Sequence, residues 1–152
     1  MKVRGRRGWT MIELLMVLLV LGILVNLAIP TLRMIRRRAE AAHIIGDVRV
    51  IHVAALASHA DRGLYPPTDD FGAVPAALVP ALPEGFEFRY GDAMYRWHRY
   101  AAPDGSPTNP GQTELLAVEV RVSDASLAST IRGLYKGRMT FGSPTNVFFI
   151  LE

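Results

Sequence analysis

Residues 9–32 run for 24 positions with one charged side chain, Glu13, and residues 14–25 are apolar throughout. As a helix rising about 1.5 Å per residue, that stretch spans about 36 Å, enough to cross a hydrocarbon core of about 30 Å. It has no polar face, which argues against an amphipathic helix lying on a membrane surface. A cleaved secretory signal carries only about 7–15 apolar residues. The nearest small-x-small site, Ala39-Glu40-Ala41, lies beyond four arginines. The segment is therefore expected to stay with the mature chain as a single membrane span.

Charge is distributed around that span. The chain of 152 residues carries a formal net charge of +3, which by itself suggests a nucleic-acid or membrane-surface binder. Lys2, Arg4, Arg6 and Arg7 precede the span, and Arg33, Arg36, Arg37 and Arg38 follow it. Residues 39–152 hold 9 basic and 13 acidic side chains, so the bulk of the chain is mildly acidic. Binding nucleic acid through a broadly positive surface is not expected. The four arginines beyond the span are expected at the outer headgroup level, against lipid phosphates. The basic leader, closest to the terminus, holds the amino end in the cytoplasm. The absence of cysteine excludes disulfides, cysteine-ligated zinc, iron–sulfur clusters and a lipoprotein-type acyl anchor.

A carboxylate within a membrane helix costs a few kcal/mol at the centre and less near an end. Glu13 stands four residues after Trp9, near the cytoplasmic edge. It either snorkels to the headgroups or waits for a positive partner.

The run Arg7-Gly8-Trp9-Thr10-Met11-Ile12-Glu13-Leu14-Leu15, with the unbroken apolar helix and Ala28-Ile29-Pro30 beyond it, resembles the prepilin-type cleavage and methylation signal. That signal marks type IV pilins and type II secretion pseudopilins. The resemblance covers about 25 residues. It implies cutting by a prepilin peptidase on the cytoplasmic side between Gly8 and Trp9, then N-methylation of Trp9. Phenylalanine is usual at that first position, and Trp9 keeps its aromatic, interface-seeking character. The resemblance further implies that Glu13 meets the amino terminus of a neighbouring subunit, since a subunit in the wrong register would keep two uncompensated charges in an apolar core. Gly22 and Pro30 are weak points at which the membrane helix could kink or melt on leaving the bilayer.

Downstream, Ile44, Val48, Ile51 and Ala55 recur at helical spacing. One long helix over residues 9–61 is expected, its second half burying one face in a head. Residues 63–70 are turn and extended material. A short helix over residues 74–82 is expected between Pro75 and Pro83. Strands are expected over 86–90 and 94–100 around a Gly91-Asp92 hairpin, and over 116–122 with one face buried. Asp124 should cap a helix that buries Leu127, Ile131 and Leu134. Residues 139–141 and 147–151 read as closing strands, and 102–111 as an exposed loop. The fold class is α+β: a pilin-like long helix, its first half transmembrane, packed on a small antiparallel sheet of four or five strands. The chain divides into a leader (1–8), a membrane or filament-core helix (9–32), an amphipathic continuation (33–62) and a periplasmic head (63–152).

No phosphate loop, dinucleotide fingerprint or nucleophile elbow is present. His43, His52, His59 and His98 read as packed or surface residues, and no metal site, cofactor or enzymatic activity is expected. Asp69-Asp70 is a weak calcium candidate, and residues 142–152 offer only Glu152 as an acid. Arg96 and Arg99 alternate with Tyr95, Trp97 and Tyr100, as in single-strand binders. Aromatics facing inward and bases outward, however, is ordinary sheet construction.

The expected function is that of a structural subunit polymerised into a type II secretion pseudopilus or a type IV pilus. Its partners would be other subunits, the prepilin peptidase, an inner-membrane assembly platform and lipid. Its place would be the bacterial inner membrane, single-pass, with a periplasmic head. The alternatives are a DNA-binding minor pilin for uptake and a stationary membrane-anchored binding domain.

Overall fold

The structure, a computed structural model, describes residues 9–101, 114–135 and 140–151. Gly8 with the rest of the expected leader, the expected loop at 102–111, Met139 and Glu152 lie outside the described residues. The chain divides into two units, one ending at Arg36 and the other beginning at Arg37. Helix α1, Met11–Arg62, supplies the first unit and opens the second.

In the first unit the sequence decides everything locally. Leucine, isoleucine, valine and methionine fill the helix on every side, and none of residues 11–36 is buried. This is the one helix among the described residues long and apolar enough to cross a membrane. Asn26 and Thr31, its polar interior residues, turn their side chains back onto the helix. The Asn26 amide donates to the Gly22 carbonyl at 3.1 Å and the Thr31 hydroxyl to the Leu27 carbonyl at 3.3 Å. Pro30 lies inside the helix and offers no N–H to the Asn26 carbonyl one turn before it.

The second unit is the α+β head. The later part of α1 buries Ala41, Ile44, Val48, Ile51 and Ala55, the expected stripe. The chain then leaves the helix at Gly63, whose φ of 72° suits a glycine, with its N–H donating to the His59 carbonyl at 2.7 Å. Five antiparallel strands follow in the spatial order β1-β2-β3-β5-β4: β1 Arg89–Tyr90, β2 Ala93–Ala101, β3 Glu114–Arg121, β4 Thr140–Phe141 and β5 Asn146–Leu151. Gly91, at φ 55°, turns β1 into β2. Tyr95 and Trp97 of β2, Val118 and Val120 of β3, and Val147 and Phe149 of β5 are buried with the helix stripe in one core. Helix α2, Ala125–Leu134, is capped by Asp124, whose carboxylate accepts from the Ser126 N–H at 2.8 Å.

Four expectations need correction. The helix over 74–82 is absent. Pro80 interrupts the backbone ladder there, leaving turns and a short 3-10 segment, Val79–Ala81. The strand over 86–90 shrinks to Arg89–Tyr90, because Gly85 takes a φ of 75° and the Phe86 N–H closes a turn on Pro83. Leu134 is 42% exposed at the last turn of α2, and Ala128 is buried with Leu127 and Ile131. Strand β3 is covered on both faces, since Ala117 and Glu119 are buried as fully as their alternating neighbours.

Candidate functional site

The start of α1 is built around Thr10 and Glu13. An oxygen of the Glu13 carboxylate accepts from the Thr10 backbone N–H at 2.8 Å and from its hydroxyl at 2.9 Å. In return the Glu13 N–H donates to the Thr10 hydroxyl oxygen at 3.3 Å. This reciprocal capping box satisfies donors that a helix start leaves free. The carboxylate thus has local work, which the sequence analysis did not assign. The signal was present as Thr10-Met11-Ile12-Glu13, a threonine three residues before a glutamate. Trp9 precedes the box and is 74% exposed. Gly22 has open space where a side chain would begin. The structure brings Thr10 to Glu13 but leaves Gly22 and Pro30 as separate features along the helix.

Of the four arginines after the apolar run, Arg37 reaches Asp124 at 3.6 Å with both side chains about half exposed (48% and 49%). One expected lipid contact is thus an ion pair within the head, of the kind worth little on its own. Arg33, Arg36 and Arg38 form no ion pair among the described residues.

On the sheet face away from α1, Glu119 is 2% exposed and crosses three strands. One of its oxygens accepts from Arg96 at 2.5 and 3.1 Å and lies 2.8 Å from His98 Nε2; the other accepts from the Asn146 amide at 2.7 Å. Burial pushes this carboxyl up. The bonds from His98 and Arg96, with their charges, outweigh it and hold the group below its ordinary value. The guanidinium groups of Arg96 and Arg121 also lie over the Phe71 ring, at 4.2 and 3.7 Å from its centre. Alternation in β2 places Tyr95 and Trp97 inward, as expected. The bases opposite them are not turned out to water: Arg96 is held by Glu119, and His98 is buried. Arg99 donates to the Tyr65 carbonyl at 3.1 Å. The interleaved bases and rings therefore do not form an open stacking platform.

Tyr95 hydroxyl donates to Asp47 at 2.6 Å, tying sheet to helix. Burial, followed by that bond and the Asp47 charge, raises the phenol far above its ordinary value. His43 stacks on Tyr90 at 3.8 Å and His59 on Tyr65 at 4.2 Å. Burial lowers His52. No group of three metal-ligating side chains occurs among the described residues.

No family model and no solved structure matches the chain. Curated relatives do, each named type II secretion system core protein G. The one from Vibrio cholerae serotype O1 is 28% identical over 95 residues, 62% of this chain and 64% of its own. The Klebsiella michiganensis protein is 28% identical over 90 residues, 59% of this chain and 61% of its own. The Aeromonas hydrophila protein is 28% identical over 115 residues, 74% and 79%. The match thus spans less than two thirds of the first two relatives' own length. The apolar helix, the Thr10–Glu13 start and the antiparallel head thus stand in a chain that is similar, over 59–74% of its length, to type II secretion system core G proteins.

Proposed function

We propose that this chain is a structural subunit of a type II secretion pseudopilus, held in the inner membrane by residues 9–32 before it enters a fibre. The observation that carries the reading is the likeness to three core G proteins, in a chain whose span of 24 residues keeps one acid, Glu13, at its start. Cleavage between Gly8 and Trp9 would create a positive amino terminus one residue before Thr10, and methylation would follow on Trp9. Glu13 holds Thr10 in the single subunit. In the fibre the same carboxylate exchanges part of that contact for the amino terminus of a neighbour, which offsets the cost of placing both charges among apolar helices. Gly22 and Pro30 are where the helix yields on leaving the bilayer. The work is mechanical, and the energy comes from a cytoplasmic motor that is another protein.

Mass spectrometry of the chain from cells containing the peptidase tests the processing: the expected product begins at Trp9 with one methyl group. An intact Met1 in such cells overturns it and leaves a stationary anchored domain. Glu13→Ala should insert and be cleaved yet be lost from sheared fibres. Normal entry into fibres removes the role given to Glu13.

A further inference from the structure

The β1–β2 hairpin lies at one edge of the sheet, and β1, two residues long, pairs only with β2 among the described residues. A ladder that short does not hold itself in place, so side chains must seat it. His43 of α1 stacks on Tyr90 of β1, with ring centres 3.8 Å apart and planes 10° from parallel. Its Nδ1 lies 3.3 Å from an oxygen of Asp47, one turn further along the helix. That same oxygen accepts the Tyr95 hydroxyl of β2 at 2.6 Å. His43, Asp47, Tyr90 and Tyr95 thus form one connected group that joins α1 to both strands of the hairpin. Its inner part is sheltered, with the Asp47 side chain 15% exposed and Tyr95 buried, whereas the His43 side chain is 51% exposed. Among the described residues His43 is the one ion-pair partner of Asp47.

We infer that His43 is a proton-operated latch that seats the β1–β2 hairpin on α1, firm when the imidazole is protonated and slack when it is neutral. The inference does not depend on the fibre role proposed above. The protonated ring is a cation over the Tyr90 face and an ionic partner of Asp47; the neutral ring is neither, and keeps at most a neutral hydrogen bond. Histidine is the side chain that changes charge between about pH 5 and 8. By linkage, the added hold is complete on the acid side and is lost as pH rises through that range. The surrounding groups act in the same sense or stand apart. Glu40, three residues before His43 on α1, is a second carboxylate on this side and favours the same protonated form. Alternation sends Arg89 to the other face of β1, and Asp92 in the hairpin turn is bonded to Ser123. Burial and the Asp47 contact raise the Tyr95 phenol, so it remains a donor throughout.

The test is amide hydrogen exchange of the full chain in detergent at about pH 5.5 and about pH 8, corrected for intrinsic rates. Tyr90 and Ala93, register partners beside the hairpin turn, report its opening, while Val118 and Phe149 in the middle of the sheet report global unfolding. In the wild type, protection at Tyr90 and Ala93 should rise about three- to tenfold at the lower pH relative to the central pair. His43→Phe keeps a ring on Tyr90 but takes up no proton, and Asp47→Asn keeps an acceptor for Tyr95 but no charge. Each should abolish the rise, and either alone suffices, since each removes one of the two charges. The other histidines of the head are unchanged in both variants, so loss of the rise assigns it to His43. A rise that survives in either variant overturns the latch. So does a wild-type rise equal at the hairpin and in the central strands, which would be a property of the whole head.

Discussion

Glu119 shows how a single side chain can close one face of a sheet. A lone carboxylate on β3 would be expensive to bury, yet it is saturated by donors from β2 and β5, so the strand can be covered on both sides. Its depressed pKa fixes the sign of the pH dependence. The folded carboxyl gives up its proton more readily than the unfolded one, so the stability it adds is complete above the ordinary carboxylate range. That stability is lost as pH falls through the depressed value. Removing one partner of a buried pair costs about 3–5 kcal/mol, and Glu119→Gln should fall at the lower end because the amide keeps an acceptor for Arg96. Thermal melts of the full chain in detergent should show that gap at pH 7 and a narrowing of it towards pH 3. A gap independent of pH would mean that the charge of Glu119 is not what matters.

Among the elements, the connector after α1 depends most on tertiary contact. Residues 63–72 have no regular structure of their own, yet they lie along β2. Trp97 donates its indole N–H to the Pro66 carbonyl at 2.9 Å, Thr68 and Arg99 exchange bonds, and the Gly72 N–H reaches the Tyr95 carbonyl at 2.9 Å. The connector thereby covers much of an edge that β1, two residues long, leaves open. Trp97→Phe keeps most of the buried ring but orphans the Pro66 carbonyl, at about 1–2 kcal/mol. Limited proteolysis should then cut within 63–72 faster than in the wild type, while Trp97→Ala, at about 3–5 kcal/mol, should unfold the head outright. Cutting at the wild-type rate in Trp97→Phe would deny the bond its role. This element also marks where the sequence was legible. The long helix, the alternation in β2 and the Asp124 cap could be read because each is local and periodic. The fate of 74–82 depended on Pro80, whose missing N–H breaks the helical ladder there. The burial of Glu119 could not be read, since alternation says which residues share a face but not whether charges from neighbouring strands will close that face. The Thr10–Glu13 box was legible as a threonine three residues before a glutamate at a helix start.

For the whole molecule, the energetics of insertion turn on which end stays inside. Four basic residues precede the apolar run, and four arginines follow it within six positions. Translocating the second group opposes the positive-inside tendency. Arg37 has Asp124 as a partner once the head has folded, but at half exposure that pair adds too little to decide orientation. The expected orientation, with the amino end in the cytoplasm, requires the basic residues before the run to outweigh the cluster. The balance is close, so orientation should respond to small changes in charge. Neutralising Lys2, Arg4, Arg6 and Arg7 together should move a large fraction of heads to the cytoplasmic side. Adding Arg33→Gln, Arg36→Gln and Arg38→Gln to that variant should return them, because the bias is then removed from both ends. Reporter enzymes active on only one side of the membrane, fused after Glu152, would read the two populations. On the processing proposed above, the neutral-leader variant should lose fibres in proportion to the inverted fraction, since an inverted subunit would present no amino terminus to a cytoplasmic peptidase. A neutral-leader chain with every head still outside would mean that the apolar run or the folding head sets orientation, and that the leader serves only the peptidase.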